Sequence, residues 1–369
     1  MVASQKRSAM LTAVLVVAAA CSVTGTSSSA PSASLVSAAT ARPTPVLAAA
    51  PTATAKPSPS PIAVLPGEPW ILYKWNQEGR STRGLFLARP NGSDAHEIVT
   101  DVPGEHTAAS WSPDGSRIAF VVRDSETPDG SIWTASADGS EAKRLFTGGK
   151  DCVAVFHPSW SSDGSKLALV CYRDGSRSSI ATLDMASMTL RIIATVDQPE
   201  FLDNPPRWSP DGASIAFPIL HWDPTGDHLD GSLVAVVPAE GGRVDRLTTF
   251  DTNMSSPDWR PDGRELVMNS YDLGNIQDTD QPSNLYAIKP DGTGLRQLTH
   301  RSVDGTMRIT GPRWAPDGTR IYVSIANSVP PSTTVDCVQP AFMDGGRGEP
   351  VLLWSSGKCA AGAELRPTP

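Results

Sequence analysis

The first 66 positions of this 369-residue chain contain no acidic residue. Lys6, Arg7, Arg42 and Lys56 are the only charges there, so the remainder holds all 39 acids against 27 of the 31 bases, a net charge of −12. A surface of that sign excludes nucleic acid as the main partner. Cysteine is scarce: there are five, and only Cys21 precedes residue 152. No stretch after residue 66 has helical periodicity, and with 33 Pro and 30 Gly the composition points to a β-rich chain full of turns. Catalytic signatures are missing too. There is no phosphate-binding loop or dinucleotide fingerprint, and none of the histidines (His96, His106, His157, His221, His228, His300) stands beside a nucleophile.

What is present begins with a targeting segment. Lys6 and Arg7 form a basic start, and "AMLTAVLVVAAA" (Ala9 to Ala20) is an apolar run too short to span a bilayer comfortably. It ends at Cys21. This resembles the bacterial lipoprotein signal, with Ala18 where that family usually has Leu. The resemblance implies a lipidated Cys21 and residues 1–21 as signal; a plain secretory signal or an uncleaved anchor are the alternatives. Residues 22–66, rich in Ser, Ala, Thr and Pro, have little to bury and read as a disordered tether. Such a tether spans about 35–40 Å as a flexible coil. The expected location is therefore extracytoplasmic and lipid-anchored to the membrane surface, or alternatively secreted.

Residues 67–369 repeat one phrase. "WSPDGSRIAF" from Trp111 returns as "WSSDGSKLAL" from Trp160, "WSPDGASIAF" from Trp208, "WRPDGRELVM" from Trp259 and "WAPDGTRIYV" from Trp314. The tryptophan spacings are 49, 48, 51 and 55, a period that signals a propeller or solenoid. Ser-Pro-Asp-Gly suits a tight turn residue by residue, so each phrase is a hairpin. A third strand ("SIWTAS"), a second turn ("ADGS") and a fourth strand ("AKRLF") follow. Four antiparallel strands per repeat make a propeller blade. Before the first repeat, Trp70 to Thr100 reads as strands two to four of a blade that lacks its first. The predicted fold is all-β, a six-bladed β-propeller of four-stranded antiparallel blades. The C-terminal tail, ending "AELRPTP", supplies the missing strand of the N-terminal blade and leaves no free edge. The rival is that Ile62 to Glu68 forms that strand locally.

The pattern P-x-W-S-P-D-G-x-x-I-A-F, with Pro158, Pro206, Pro257 and Pro312 two before the tryptophans and "RLT" at Arg246 to Thr248, resembles the TolB-type, WD-like propeller repeat. The first repeat departs with Ala109 in the proline place, and the second has Ser162 for the turn proline. The resemblance implies an interaction platform. Trp111, Trp160, Trp208, Trp259 and Trp314 are expected to pack between blades, and Asp114, Asp163, Asp211, Asp262 and Asp317 to be turn residues. No G-x-S-x-G occurs, so the hydrolase half of prolyl oligopeptidase-like enzymes, which carry similar propellers, is missing.

Antiparallel blades put the first-to-second and third-to-fourth turns on one face, and here these are uniformly short. The other connections are longer: Arg123 to Gly130, His221 to Gly231, Tyr271 to Ser283, Val196 to Pro206 and His300 to Gly311. Any binding site is expected on this long-loop face around the central opening. The densest polar cluster there is His221, Asp223, Asp227, His228 and Asp230. Two histidines and a carboxylate can hold a divalent cation, but the spacing fits no metal signature, and no cofactor is predicted. In an exported chain the remaining cysteines are expected to pair as Cys152–Cys171 and Cys337–Cys359.

The function expected is a membrane-anchored, monomeric propeller that binds a protein or cell-envelope component through its long-loop face. The alternative is an enzyme of hydrolase or lyase type, or a carbohydrate-binding protein, with its site in the central pocket; a purely structural brace is a third. No catalytic residue is nominated.

Overall fold

The computed structural model describes residues 69–75, 84–173, 176–226, 228–270, 283–300, 307–327, 337–344, 347–354 and 361–367. The predicted signal and tether (residues 1–66, with Cys21), the rival strand Ile62 to Glu68, Asp227 and Cys359 lie outside them. So does most of Tyr271 to Ser283.

Six antiparallel sheets form a ring. Blade one holds β1 (Ile71–Trp75), β2 (Gly84–Ala88) and β3 (His96–Ile98). Blade two holds β4 (Glu105–Trp111), β5 (Arg117–Arg123), β6 (Ser131–Ser136) and β7 (Lys143–Thr147). Blade three holds β8 (Ala154–Trp160), β9 (Lys166–Tyr172), β10 (Arg177–Asp184) and β11 (Leu190–Asp197). In blade four the innermost strand is split into β12 (Glu200–Phe201) and β13 (Arg207–Trp208), followed by β14 (Ser214–Trp222), β15 (Leu229–Pro238) and β16 (Asp245–Arg246). Blade five holds β17 (Met254–Trp259), β18 (Leu266–Ser270), β19 (Leu285–Ile288) and β20 (Arg296–Gln297). Blade six holds β21 (Met307–Trp314), β22 (Arg320–Asn327), β23 (Cys337–Asp344) and β24 (Arg347–Leu352). The last strand, β25 (Ala361–Leu365), pairs antiparallel with β1 and is the innermost strand of blade one. The tail therefore closes the ring.

The second strands of blades two and three are apolar through their middle rather than alternating, because both their faces are covered by neighbouring blades. "IAFVV" in β5 and "LALVC" in β9 are wholly buried. The outer β7 is exposed or half-buried along its length. Six apolar clusters fill the blade boundaries, and the repeat tryptophans sit in five of them. The sixth cluster, between blades six and one, has Leu365 in that place together with Tyr73, Phe86 and Trp354. Register makes the equivalence clear. Trp111 faces Ile118, Trp208 faces Ile215 and Leu365 faces Ile71, each at the start of a second strand. "AELRP" is a worn copy of "PRWSP". Three indoles also donate across a boundary to the preceding blade: Trp111 to the Glu364 carbonyl at 3.2 Å, Trp208 to Ser159 at 3.1 Å and Trp259 to Arg207 at 3.0 Å.

The conserved-looking turn has a mechanical basis. Ser112 Oγ donates to Asp114 at 2.6 Å and accepts from the Arg117 N–H at 2.9 Å, while Gly115 takes φ 64°. A Cβ on Gly115 would also meet the Pro367 carbonyl at 2.7 Å, so this turn seats the tail. Three residues before the tryptophan, a residue with positive φ makes a bulge: Ala108, His157, Ser256 and Gly311. The proline that follows fits a bulge, where no ladder N–H is required. One expected loop is corrected: Val196 to Pro206 is not all connection, since Glu200 and Phe201 pair with His221 and Leu220.

The Ser161 hydroxyl, then the Ser165 N–H and hydroxyl, hold Asp163 down to about 2. Asp114, Asp211 and Asp317 are also lowered by their turn hydroxyls and N–H groups. Depressed carboxyls contribute stability above about pH 4 and lose it as the pH falls toward about 2. Urea midpoints measured across that range should therefore fall on acidification, with a shallower fall in Asp163→Asn. An identical fall in the variant would contradict the assignment.

Candidate functional site

The residue just before each tryptophan position stands at the inner edge of its blade, near the short-turn end of the central channel. Going round the ring these residues are Glu364, Ser110, Ser159, Arg207, Asp258 and Arg313. Blades one and four stand opposite one another, so the ion pair between the Arg207 guanidinium and both Glu364 carboxylate oxygens crosses the channel. Arg313 Nε donates to the same carboxylate at 3.2 Å and its Nη1 to the Pro312 carbonyl at 2.8 Å. Asp258 accepts the Trp314 N–H at 2.7 Å. The side chains of Arg207, Glu364 and Arg313 are only 11–16% exposed. Burial pushes Glu364 up, but Arg207 and Arg313 outweigh it and hold the carboxyl below its ordinary range. Asp258 is different: burial raises it, and the same two guanidiniums only partly offset this. Two guanidiniums and two carboxyl groups meet in a space that water barely reaches, so this end of the channel carries a buried ionic network.

The opposite, long-loop end is where the ring departs from six-fold repetition. Blade four's innermost strand breaks between β12 and β13, and the released residues 202–206 lean on blade three. Tyr172 hydroxyl donates to the Leu202 carbonyl at 2.8 Å, and the Leu202 N–H donates to Ser178 Oγ at 2.8 Å. His157 Nε2 lies 3.5 Å from Asp203. Phe156 meets Tyr172 edge-on at 5.5 Å, and the Arg123 guanidinium lies over the Phe156 ring at 4.6 Å. Burial, then the Asp203 charge, push the Tyr172 hydroxyl well above its ordinary value, against a smaller opposing effect of Arg123. Arg123, Phe156, His157, Tyr172 and Asp203 are all half-buried. Blades two, three and four thus build a polar–aromatic mouth.

Residues 70–225 match the family model of the TolB beta propeller domain. Over those residues the chain is similar to a TolB-type propeller. An uncharacterized protein of Agrobacterium fabrum is 26% identical over 255 residues, covering 68% of this chain and 78% of that one. A Bacillus subtilis protein described as an uncharacterized peptidase is 27% identical over 157 residues, but the match covers only 23% of its length. Among solved structures, TolB from Acinetobacter baumannii aligns with a TM-score of 0.55 at 17% identity, over 78% of this chain and 67% of that one. A TolB candidate from Agrobacterium tumefaciens gives 0.55 at 19%, over 82% and 98%. At these identities the structural likeness speaks to the fold.

In the ring, the described members of the loop cluster (His221, Asp223, His228 and Asp230) make local pairs. His221 Nδ1 pairs with Asp230 at 2.5 Å across the β14–β15 hairpin. Asp223 is taken up by its own turn, accepting the N–H and hydroxyl of Thr225 and the His228 N–H, with His228 Nδ1 3.7 Å away. Among the described residues no group of three or more His, Cys, Asp or Glu is arranged to hold a metal. Cys152 and Cys171 form a disulfide with a Cα separation of 5.3 Å. Cys171 faces Val155 in register, and the chain curls back at a Gly149–Cys152 bridge to bring Cys152 within reach. This bond fixes the chain beside Tyr172 and Phe156. The pairing of Cys337 with Cys359 falls outside the described side chains.

The ionic network was not nominated from sequence, and of the mouth only the connections that carry Arg123 and Asp203 were. A signal for the first existed in the column before the tryptophans, which reads Ser, Ser, Arg, Asp, Arg, with Glu364 in the tail copy. Removing one partner of a buried ion pair leaves a charge without compensation and costs about 3–5 kcal/mol. Glu364→Leu and Arg207→Met should each lose stability on that scale in urea unfolding, and the Arg207→Met/Glu364→Leu double variant should lose less than the two singles combined. Additive losses would contradict the cross-channel pair.

Proposed function

We propose that this chain is an extracytoplasmic cell-envelope protein, held at the membrane surface by lipid on Cys21, whose TolB-type propeller binds a protein or envelope component through its long-loop end. The observation that supports this most is the uneven use of the channel. Its short-turn end is filled by the Arg207–Glu364–Arg313–Asp258 network, so a ligand has to approach from the other end. There, the repeat is broken at residues 202–206 and half-buried aromatic and charged side chains gather. Irregular strands beside a channel mouth are where propellers and barrels aim side chains at ligands. The tether gives the ring room to meet a partner while it stays anchored.

A photo-activatable side chain placed at Asp129, exposed beside the mouth, should give a discrete adduct in intact cells, whereas the same group at exposed Asp262 on the short-turn face should not. Labelling with palmitate should be lost in Cys21→Ala. Adducts from Asp262 alone, or an unlabelled wild type, would contradict the platform and the anchor respectively.

A further inference from the structure

Most described arginines are used up by carboxylates. Arg89 pairs with Asp94, Arg191 with Glu240, Arg246 with Glu200, Arg296 with Glu265 and Arg320 with Asp344. Arg123 is not, although the chain carries a large excess of acid. Its guanidinium rests on Phe156, and its Nε is buried with no acceptor. Glu105 stands opposite Arg123 in the β4–β5 register, and two further nearby carboxylates are engaged elsewhere. Asp203 faces His157. Asp124 accepts the N–H groups of Glu126 and Thr127 and the Thr127 hydroxyl. A guanidinium held in place by aromatic stacking, partly desolvated and with its Nε–H unaccepted, is set up to take a carboxylate through its planar fork.

From this juxtaposition we infer that Arg123 is the anchor for an acidic peptide segment, binding a side-chain or terminal carboxylate of the partner; this rests on the long-loop mouth being the binding face. A peptide fits better than an acidic sugar, because Arg123 already covers a face of Phe156, and Phe156 and Tyr172 meet each other edge-on. Those rings offer no bare stacking platform for a pyranose. Recognition at this point is therefore by charge, with the disulfide Cys152–Cys171 keeping Phe156 and Tyr172 in place behind the arginine.

The test is calorimetric titration of the full chain with acetyl-Asp-Glu-Asp-amide, acetyl-Asn-Gln-Asn-amide and trigalacturonate. The acidic peptide should bind saturably and more weakly as salt rises, and the neutral peptide should not bind. Arg123→Met, which keeps the stem over Phe156, should weaken binding at least about tenfold, and Arg123→Lys, with charge but no fork, should fall between. Unchanged melting temperatures establish that the variants are folded. Absence of saturable binding, or equal affinity in Arg123→Met, overturns the inference, while adduct formation from Asp129 reports separately on the platform. Tighter, Arg123-dependent binding of trigalacturonate overturns the peptide assignment.

Discussion

The ring holds because its two chain ends meet in one sheet. β25 gives blade one the innermost strand that the N-terminal part of the propeller does not supply, and the same five residues deliver Glu364 into the channel. Closure and electrostatics are thereby coupled. Without β25, β1 would have an unpaired inner edge, Arg207 and Arg313 would face each other without their shared carboxylate, and the boundary between blades six and one would lose Leu365. Like-charge guanidiniums in a poorly hydrated space are costly, so the tail is needed for charge balance as well as for backbone pairing.

That arrangement explains why the two ends of the channel differ. The bulge three residues before each tryptophan position turns the residue before the tryptophan to the inner edge. In blades two and three that residue is serine, and from blade four round to blade one it is charged. The network therefore seals the short-turn end asymmetrically, and polar chemistry open to solvent is left to the long-loop end. There blades two to four carry the split strand, the disulfide and the Arg123–Phe156–Tyr172 stack.

The propeller was legible in the sequence because its signals are local and redundant. The Asp-Gly turn after each tryptophan is fixed by the conformations of adjacent residues, and five copies at a near-constant period, each followed by two further strand signals, point to propeller blades. Tail closure was legible as one of two readings, from a blade that lacked a first strand, with Ile62 to Glu68 as the rival. The site was not, for two physical reasons. Arg207 and Glu364 are 157 positions apart and meet only because a ring of six places blades one and four face to face. His221, Asp223, His228 and Asp230 looked like a cluster because they are close in sequence, yet a hairpin and an Asp-capped turn spend them on one another. Variation at one column within an otherwise regular repeat was the better guide to chemistry than density of polar residues in a loop.

Because the tail joins the sheet, the channel and the last blade boundary, its removal tests the account most directly. A chain ending at residue 359 should lose on the order of 5 kcal/mol or more in urea unfolding, with earlier opening of blades one and six than of blade three in amide exchange. A truncated chain that unfolds at the same urea concentration as the full one, with β1 amides as protected as before, would contradict it.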